Sequence, residues 1–189
     1  SDLPSYIELV NKYIPDMKKY VSGTGSPMYY AARIAKEKYP DAKIVFVGPC
    51  VAKRKEAQRD EAVDFVMTFE EISSIFDAFE VNLEIVQPYA MEFSSVREAH
   101  GFAQAGGVMG AVKAFLKMEA DKINAIQVSD LNKKNIGTLR AYAKSGKAPG
   151  QFIEVMACEG GCITGPSTHS GSNGKRQLVQ ELAKQEKTY

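Results

Sequence analysis

Three cysteines stand in this 189-residue sequence: Cys50, Cys158 and Cys162. The last two form a C-x-x-x-C pair that encloses Gly160 and Gly161. Glycine accepts left-handed turns and lets backbone approach a bulky object closely. Two thiolates on such a loop, joined by a third from elsewhere, suit a soft metal or an iron–sulfur cluster. A closed structural zinc site fits less well, because it wants four ligands. His100 and His169 are the two imidazoles available to add one. His169 lies in a small-residue loop, and His100 reads as a surface or helix-end residue. Bland alternatives stay open at this point. Cys50 has the look of a buried structural thiol. A redox pair at Cys158 and Cys162 would need a base or cation to depress a thiol pKa, and none is adjacent in sequence.

Composition narrows the setting. The formal net charge is +1, so no bulk field points to nucleic acid or an anionic membrane. An odd, small cysteine count is unlike a secreted disulfide scaffold and favours a reducing cytoplasm. No apolar run reaches the roughly 20 residues of a spanning helix. The first residues carry no basic stretch ahead of an apolar core, the pattern of a signal peptide.

Helical and strand patterns alternate along the chain, which predicts an α/β fold. Leu3 to Met17 has apolar residues at helical spacing, with Pro4 suited to a first turn. Ser26-Pro27 opens a second helix running to about Lys38. Lys43 to Val47 is a short β-branched run, read as a buried strand that ends just before Cys50. A polar helix over 51–60 and a strand over 63–67 follow. Thr68 with Glu71 has the capping-box spacing, so a helix starts there. Residues 81–105 read as loop, broken by Pro88 and Gly101, with a short helix near Ser94-Ser95. Gly106-Gly107 leads a helix over 108–118. A strand over 123–128, a helix from Asn132 to Ser145 stopped by Gly146, and a strand over 152–156 come next. A loop then runs from Pro166 to Gly174, and a charged helix from Lys175 to Lys187 closes the pattern. Both cysteine sites lie just past strand ends, where α/β sheets bind ligands.

These residues resemble a known family. The segment from Gly48-Pro49-Cys50-Val51-Ala52-Lys53 to Glu56 is similar to the second cysteine motif of [FeFe]-hydrogenases. Glu154-Val155-Met156-Ala157-Cys158-Glu159-Gly160-Gly161-Cys162 is similar to their third. Gly106-Gly107-Val108-Met109 and Ser26-Pro27 resemble two further landmarks, in the family's order. The resemblance implies a [4Fe-4S] cluster held by cysteines, with a two-iron subcluster that carries carbon monoxide, cyanide and a dithiolate bridge. Carried over, Cys50, Cys158 and Cys162 are metal ligands, and Cys162 is the one bridging to the two-iron unit. Lys53 matches a lysine that donates to an iron-bound cyanide, a charge-assisted bond. Met156 matches a methionine packed near that unit. Gly48 and Ser26 complete the expected cofactor surroundings, and Glu56 is a candidate partner behind them. The residues by themselves also allow a solvated Lys53, a core Met156 and a surface Glu56. The family's reaction is reversible joining of protons and electrons into hydrogen. No side chain of this chain is assigned a catalytic role.

The sequence also departs from the family. The family's fourth cluster cysteine precedes a proline ahead of the first helix. If Pro4 is that proline, Leu3 takes the ligand position and Asp2 the position of a proton-relaying cysteine; if the alignment slips, the ligand lies ahead of residue 1. Gly48 stands where catalytic members usually have methionine, which predicts a more open pocket. Gly165-Pro166-Ser167-Thr168-His169 replaces the usual glycine-rich run ending in Gln-Pro. With Ser26-Pro27, these traits resemble the sensory branch of the family. Its members join ferredoxin-like iron–sulfur domains before this one to a signalling domain, often PAS, after it. The expectation is therefore a two-lobed α/β domain of small mixed or parallel sheets, about 1–105 and 106–189, with the cleft between them. The chain reads as a fragment, inactive alone. The alternative is a signalling or docking module that keeps the fold without a two-iron site.

Overall fold

The computed structural model describes residues 3–87, 89, 95–171 and 173–184. Asp2, Pro88 and Ser94, and the end of the last helix expected to reach Lys187, lie outside the described residues.

Among the described residues, two parallel two-stranded sheets organise the fold. β1 (Val45–Gly48) pairs with β2 (Phe65–Thr68), and β3 (Ala125–Ser129) pairs with β4 (Phe152–Met156). Each pair needs a crossover, as parallel strands do. α1 (Pro4–Tyr13) and α2 (Pro27–Lys38) precede β1. α3 (Lys53–Ala57) crosses from β1 to β2, and α4 (Phe69–Ala78) follows β2. α5 (Arg97–His100) and α6 (Gly107–Leu116) precede β3, α7 (Lys133–Ser145) connects β3 to β4, and α8 (Asn173–Ala183) comes last. This is the expected mixed α/β architecture with small parallel sheets.

Local chemistry sets most boundaries. Ser26 caps α2 by accepting the Tyr29 N–H at 3.1 Å, with Pro27 in the first turn. Thr68 and Glu71 close a reciprocal capping box at α4. Asn132 caps α7, and Gly146 ends it in the left-handed region at φ 65°. The first helix is shorter than the expected run to Met17. It stops at Tyr13, because Pro15 has no N–H to continue the ladder, and a 3-10 segment follows over Pro15–Tyr20. The polar helix after Cys50 shrinks to α3, and the short helix expected near Ser94-Ser95 begins later, at Arg97.

Among the described residues, two cores hold the elements. Met28, Ala32 and Val63 form one, with Ile44, Phe46 and Val66 packed against it. The other joins Leu3, Tyr6, Val10, Ile14 and Met17 to Val128, Leu139 and Ala143. So α1 packs with β3 and α7, although it lies on the N-terminal side of the division drawn at residue 105. An apolar face shows that a helix must be covered, not which sheet covers it. On its other side, Glu8 of α1 accepts a charge-assisted bond from Arg59, just after α3. α1 thereby touches both halves. Among the described residues, no helix is long and apolar enough to cross a membrane.

Candidate metal centre

Cys50 follows β1 and Cys158 follows β4, so both thiols leave the C-terminal ends of parallel strands. The turn after β4 then brings Cys162 back. Gly160 and Gly161 make that return possible, at φ 80° and φ 103°. Gly161 also lies against the segment before α6, where a Cβ would meet the Ala105 nitrogen at 2.5 Å. The Ala105 N–H donates to the Gly160 carbonyl at 3.0 Å. Ser129, at the end of β3, ties the same turn: its hydroxyl accepts the Gly160 N–H at 3.2 Å and donates to the Cys158 carbonyl at 3.4 Å.

The three cysteines line one small cavity. All three are half-buried. Met156 and Leu3 line it as well, with Ser5, Pro49, Ala157 and Gly165 completing the lining. Met156 is 5% exposed and Leu3 9%, so the surroundings are dry and apolar. Burial pushes the Cys158 thiol pKa up, and the nearby Cys50 and Asp130 push the same way. A reactive thiol needs the opposite shift. This environment therefore speaks against a nucleophilic or disulfide-exchange role for Cys158. A metal would displace the proton instead, so loading with iron releases protons and strengthens as pH rises.

Gly165 joins the two halves of the site. A Cβ there would meet the Pro49 carbonyl oxygen and the Cys162 carbonyl oxygen, each at 2.9 Å. The close approach lets the Cys50 turn and the Cys162 turn meet. Gly165→Ala should therefore wedge them apart without touching a thiol. Overpacking of this kind costs about 1–3 kcal/mol. The expected result is a lower melting temperature and a lower iron content per chain after anaerobic loading, both read on the purified variant.

Lys53 and Ser26 do not line this cavity; they meet at Glu56. The Lys53 ammonium donates to one Glu56 oxygen at 2.7 Å, and the Ser26 hydroxyl donates to the other. Ser26 is almost completely buried, at 1% exposure. Glu56 thus orients Lys53 from α3 and anchors it to the start of α2. Sequence reasoning named all three residues, but only the fold shows that one carboxylate serves both partners.

One expectation changes. Gly48 was expected to leave the pocket more open. Instead the Phe46 ring fills the direction a side chain would take, 2.7 Å from a Cβ placed on Gly48. Residues two apart on a strand share a face, which is how Phe46 reaches it. His169 does not join the cysteines. Its Nε2 lies 3.0 Å from the Ser73 hydroxyl and 3.3 Å from the Phe69 carbonyl, so it docks its loop on α4. His100 is exposed on α5, as read.

Glu154 was missed as an individual residue. It is 4% exposed inside β4, and its carboxylate accepts the Gly106 N–H at 2.6 Å and the Met109 N–H at 2.7 Å. An acid between apolar neighbours in Phe152–Met156 was the available signal, because a buried charge needs partners.

The donor set can be tested against candidate metals. Among the described residues, no three His, Cys, Asp or Glu side chains close around a single ion. Thiolates on different irons of a cubane stand further apart than thiolates sharing one ion. Three soft sulfur donors lining one apolar cavity have the donor chemistry that an iron–sulfur cluster takes. Leu3, which takes the fourth ligand's position if Pro4 is the family's proline, also lines the cavity.

Comparison with known proteins agrees with this chemistry. The family described as iron only hydrogenase large subunit, C-terminal domain, matches residues 1–166. The chain is 27% identical to the cytosolic Fe-S cluster assembly factor narfl of Danio rerio, covering 88% of this chain and 54% of that protein. It is also 27% identical to iron hydrogenase 1 of Clostridium pasteurianum, covering 86% of this chain and 36% of that protein. It thus spans about half or less of the length of these relatives. Its fold superimposes on a variant of the [FeFe]-hydrogenase HydA1 from Chlamydomonas reinhardtii with a TM-score of 0.72 at 21% identity, covering 100% of this chain and 67% of that one. With its cysteine turns, sheets and sequence in agreement, the chain belongs to the iron-only hydrogenase family, within the C-terminal domain of the large subunit.

Proposed function

We propose that this chain is the cluster-binding, hydrogenase-like domain of a hydrogen- or redox-sensing protein. The observation that carries the reading is the meeting of Cys50, Cys158 and Cys162 at one apolar cavity. These thiolates would hold an iron–sulfur cluster. When bound, a two-iron unit would supply the joining of protons and electrons into hydrogen. The chain's own residues do the rest. Met156 and Leu3 keep water from the thiols. Glu56 fixes the direction of the Lys53 ammonium, a donor suited to an anionic metal ligand. The turn built on Gly161 and Gly165 sets the spacing of the thiols.

The sensory assignment is supported by the sequence departures at Gly48 and at Gly165 to His169. In that role, ferredoxin-like domains would deliver electrons and a PAS-type domain would read the state, in a reducing cytoplasm.

A second reading keeps the fold and the iron–sulfur cluster but no two-iron unit. Leu3 on the cavity wall favours it, and so does similarity to cytosolic Fe-S assembly factors. One experiment separates the two. The full-length protein is matured anaerobically with the family's maturation proteins, then examined by infrared spectroscopy and a hydrogen assay. The first reading expects bands of iron-bound carbon monoxide and cyanide. A protein with iron and sulfide but without those bands and without turnover would have the second function.

A further inference from the structure

We infer that Asp130 is an electrostatic tuning residue, whose carboxylate is held beside the cysteine turn and makes the bound cluster harder to reduce. The inference rests on the cluster-binding reading above and extends it to the reduction potential of that cluster.

Asp130 follows β3 and sits between two residues tied to the turn after β4. On one side, the Ser129 hydroxyl bridges the Gly160 N–H and the Cys158 carbonyl. On the other, the Leu131 N–H donates to the Ala157 carbonyl at 3.1 Å. The residue between them cannot leave the turn without breaking these bonds. Its backbone is left-handed, at φ 70°. Glycine adopts that region freely, and asparagine and aspartate tolerate it better than other residues. Asn135 braces the conformation: its amide donates to the Ser129 carbonyl at 2.9 Å and to the Asp130 carbonyl at 2.7 Å. The Asn132 amide donates to the carboxylate itself at 2.8 Å. Glycine or asparagine would meet the demands of this backbone without a charge. The charge is what sets aspartate apart.

That charge reaches the site. Burial, Cys50 and Asp130 all push the Cys158 thiol towards its neutral form. Asp130 therefore opposes negative charge at Cys158. Asp130 is half-buried, whereas Lys133 and Lys134, the cations next along the chain, are exposed on α7. Salt screens exposed charges more than partly buried ones, so the two lysines offset the carboxylate incompletely. Net charge around an iron–sulfur cluster is one of the factors that set its potential. Reduction adds one electron from a low-potential one-electron donor and breaks no bond. The added negative charge meets the Asp130 carboxylate, and the potential falls. A unit charge within about 10 Å, at an effective dielectric of about 20, changes such an equilibrium roughly tenfold.

The test uses the full-length protein, loaded anaerobically with iron and sulfide. It is titrated with dithionite in the presence of redox mediators and followed by electron paramagnetic resonance. The signal that Cys158→Ser removes identifies this cluster among any others in the protein. Asp130→Asn keeps the size of the side chain and an oxygen acceptor for Asn132. Asp130→Gly removes the side chain and suits the left-handed backbone. Both should raise the midpoint potential by about 59 mV, the tenfold change for a one-electron couple. Asp41→Asn, which neutralises an exposed carboxylate in the turn after α2, should leave the midpoint unchanged. Wild-type midpoints in both Asp130 variants would overturn the inference and leave the cluster reading intact. So would loss of the cluster from both, which would make Asp130 a structural part of the turn. An equal shift in Asp41→Asn would overturn it as an effect of net charge. Iron and sulfide unaffected by Cys158→Ser would overturn the cluster reading itself.

Discussion

Replacing Cys50 with serine should strip this domain of its iron and sulfide. Altered hydrogen-bond partners behind a ligand already cost about 10–100-fold in metal affinity, and loss of the ligand itself should exceed that. The case for a large effect is geometric. Cys50 arrives from the turn after β1, whereas Cys158 and Cys162 arrive from the turn after β4. Without Cys50 the remaining thiols lie on one side of the cavity, and nothing links the cluster to the other half. Serine is the right probe because it nearly preserves volume and polarity at a half-buried site. The folded apo-protein should therefore melt close to wild type. Iron and sulfide assays with visible absorption at the cluster band would read the loss. Cys158→Ser and Cys162→Ser should behave alike. Wild-type iron content in Cys50→Ser would mean that this thiol is structural, the alternative its sequence context left open. The pH dependence gives an independent check. Burial raises the Cys158 thiol pKa, so the proton must leave before iron binds, and loading should weaken as pH falls.

What the sequence made legible was mostly local. Ser26, Thr68 with Glu71, Asn132 and Gly146 each act within one turn of themselves, and each ends or begins a helix where expected. The strand over Phe152–Met156 was readable because its apolar run is bounded on both sides. The three cysteines were legible as a set because their motifs carry a family likeness that spacing alone lacks. What stayed hidden was long-range. The apolar face of α1 does not announce that its partners are Val128 and Leu139. Gly48 looked like missing bulk because the neighbour that replaces it, Phe46, is found only once the strand is folded. Glu56 offers two oxygens, and its two partners lie on different elements.

Glu154 is the sharpest case of a hidden role, and its removal should be the most damaging change away from the thiols. Glu154→Ala leaves the Gly106 and Met109 N–H groups, both part-buried beside β4, without their acceptor. Each orphaned buried donor costs about 1–3 kcal/mol. Both losses fall on the first turn of α6, where a negative charge also complements the helix dipole. Together they approach a large fraction of the roughly 5–15 kcal/mol that holds a domain folded. Glu154→Gln should fall between alanine and wild type. Its carbonyl can still accept one N–H, but its amide nitrogen faces the other donor with a donor of its own. Urea unfolding midpoints should therefore rank wild type, then Gln, then Ala. The damage should also reach the metal centre. Ala105 donates to Gly160 just before the segment Glu154 anchors, so a shifted helix start pulls on the turn between Cys158 and Cys162. Iron content should fall in the same order as stability, and in the alanine variant it should fall under conditions where the chain is still folded. Midpoints for Glu154→Ala within error of wild type would show that water, rather than this carboxylate, can satisfy the start of α6.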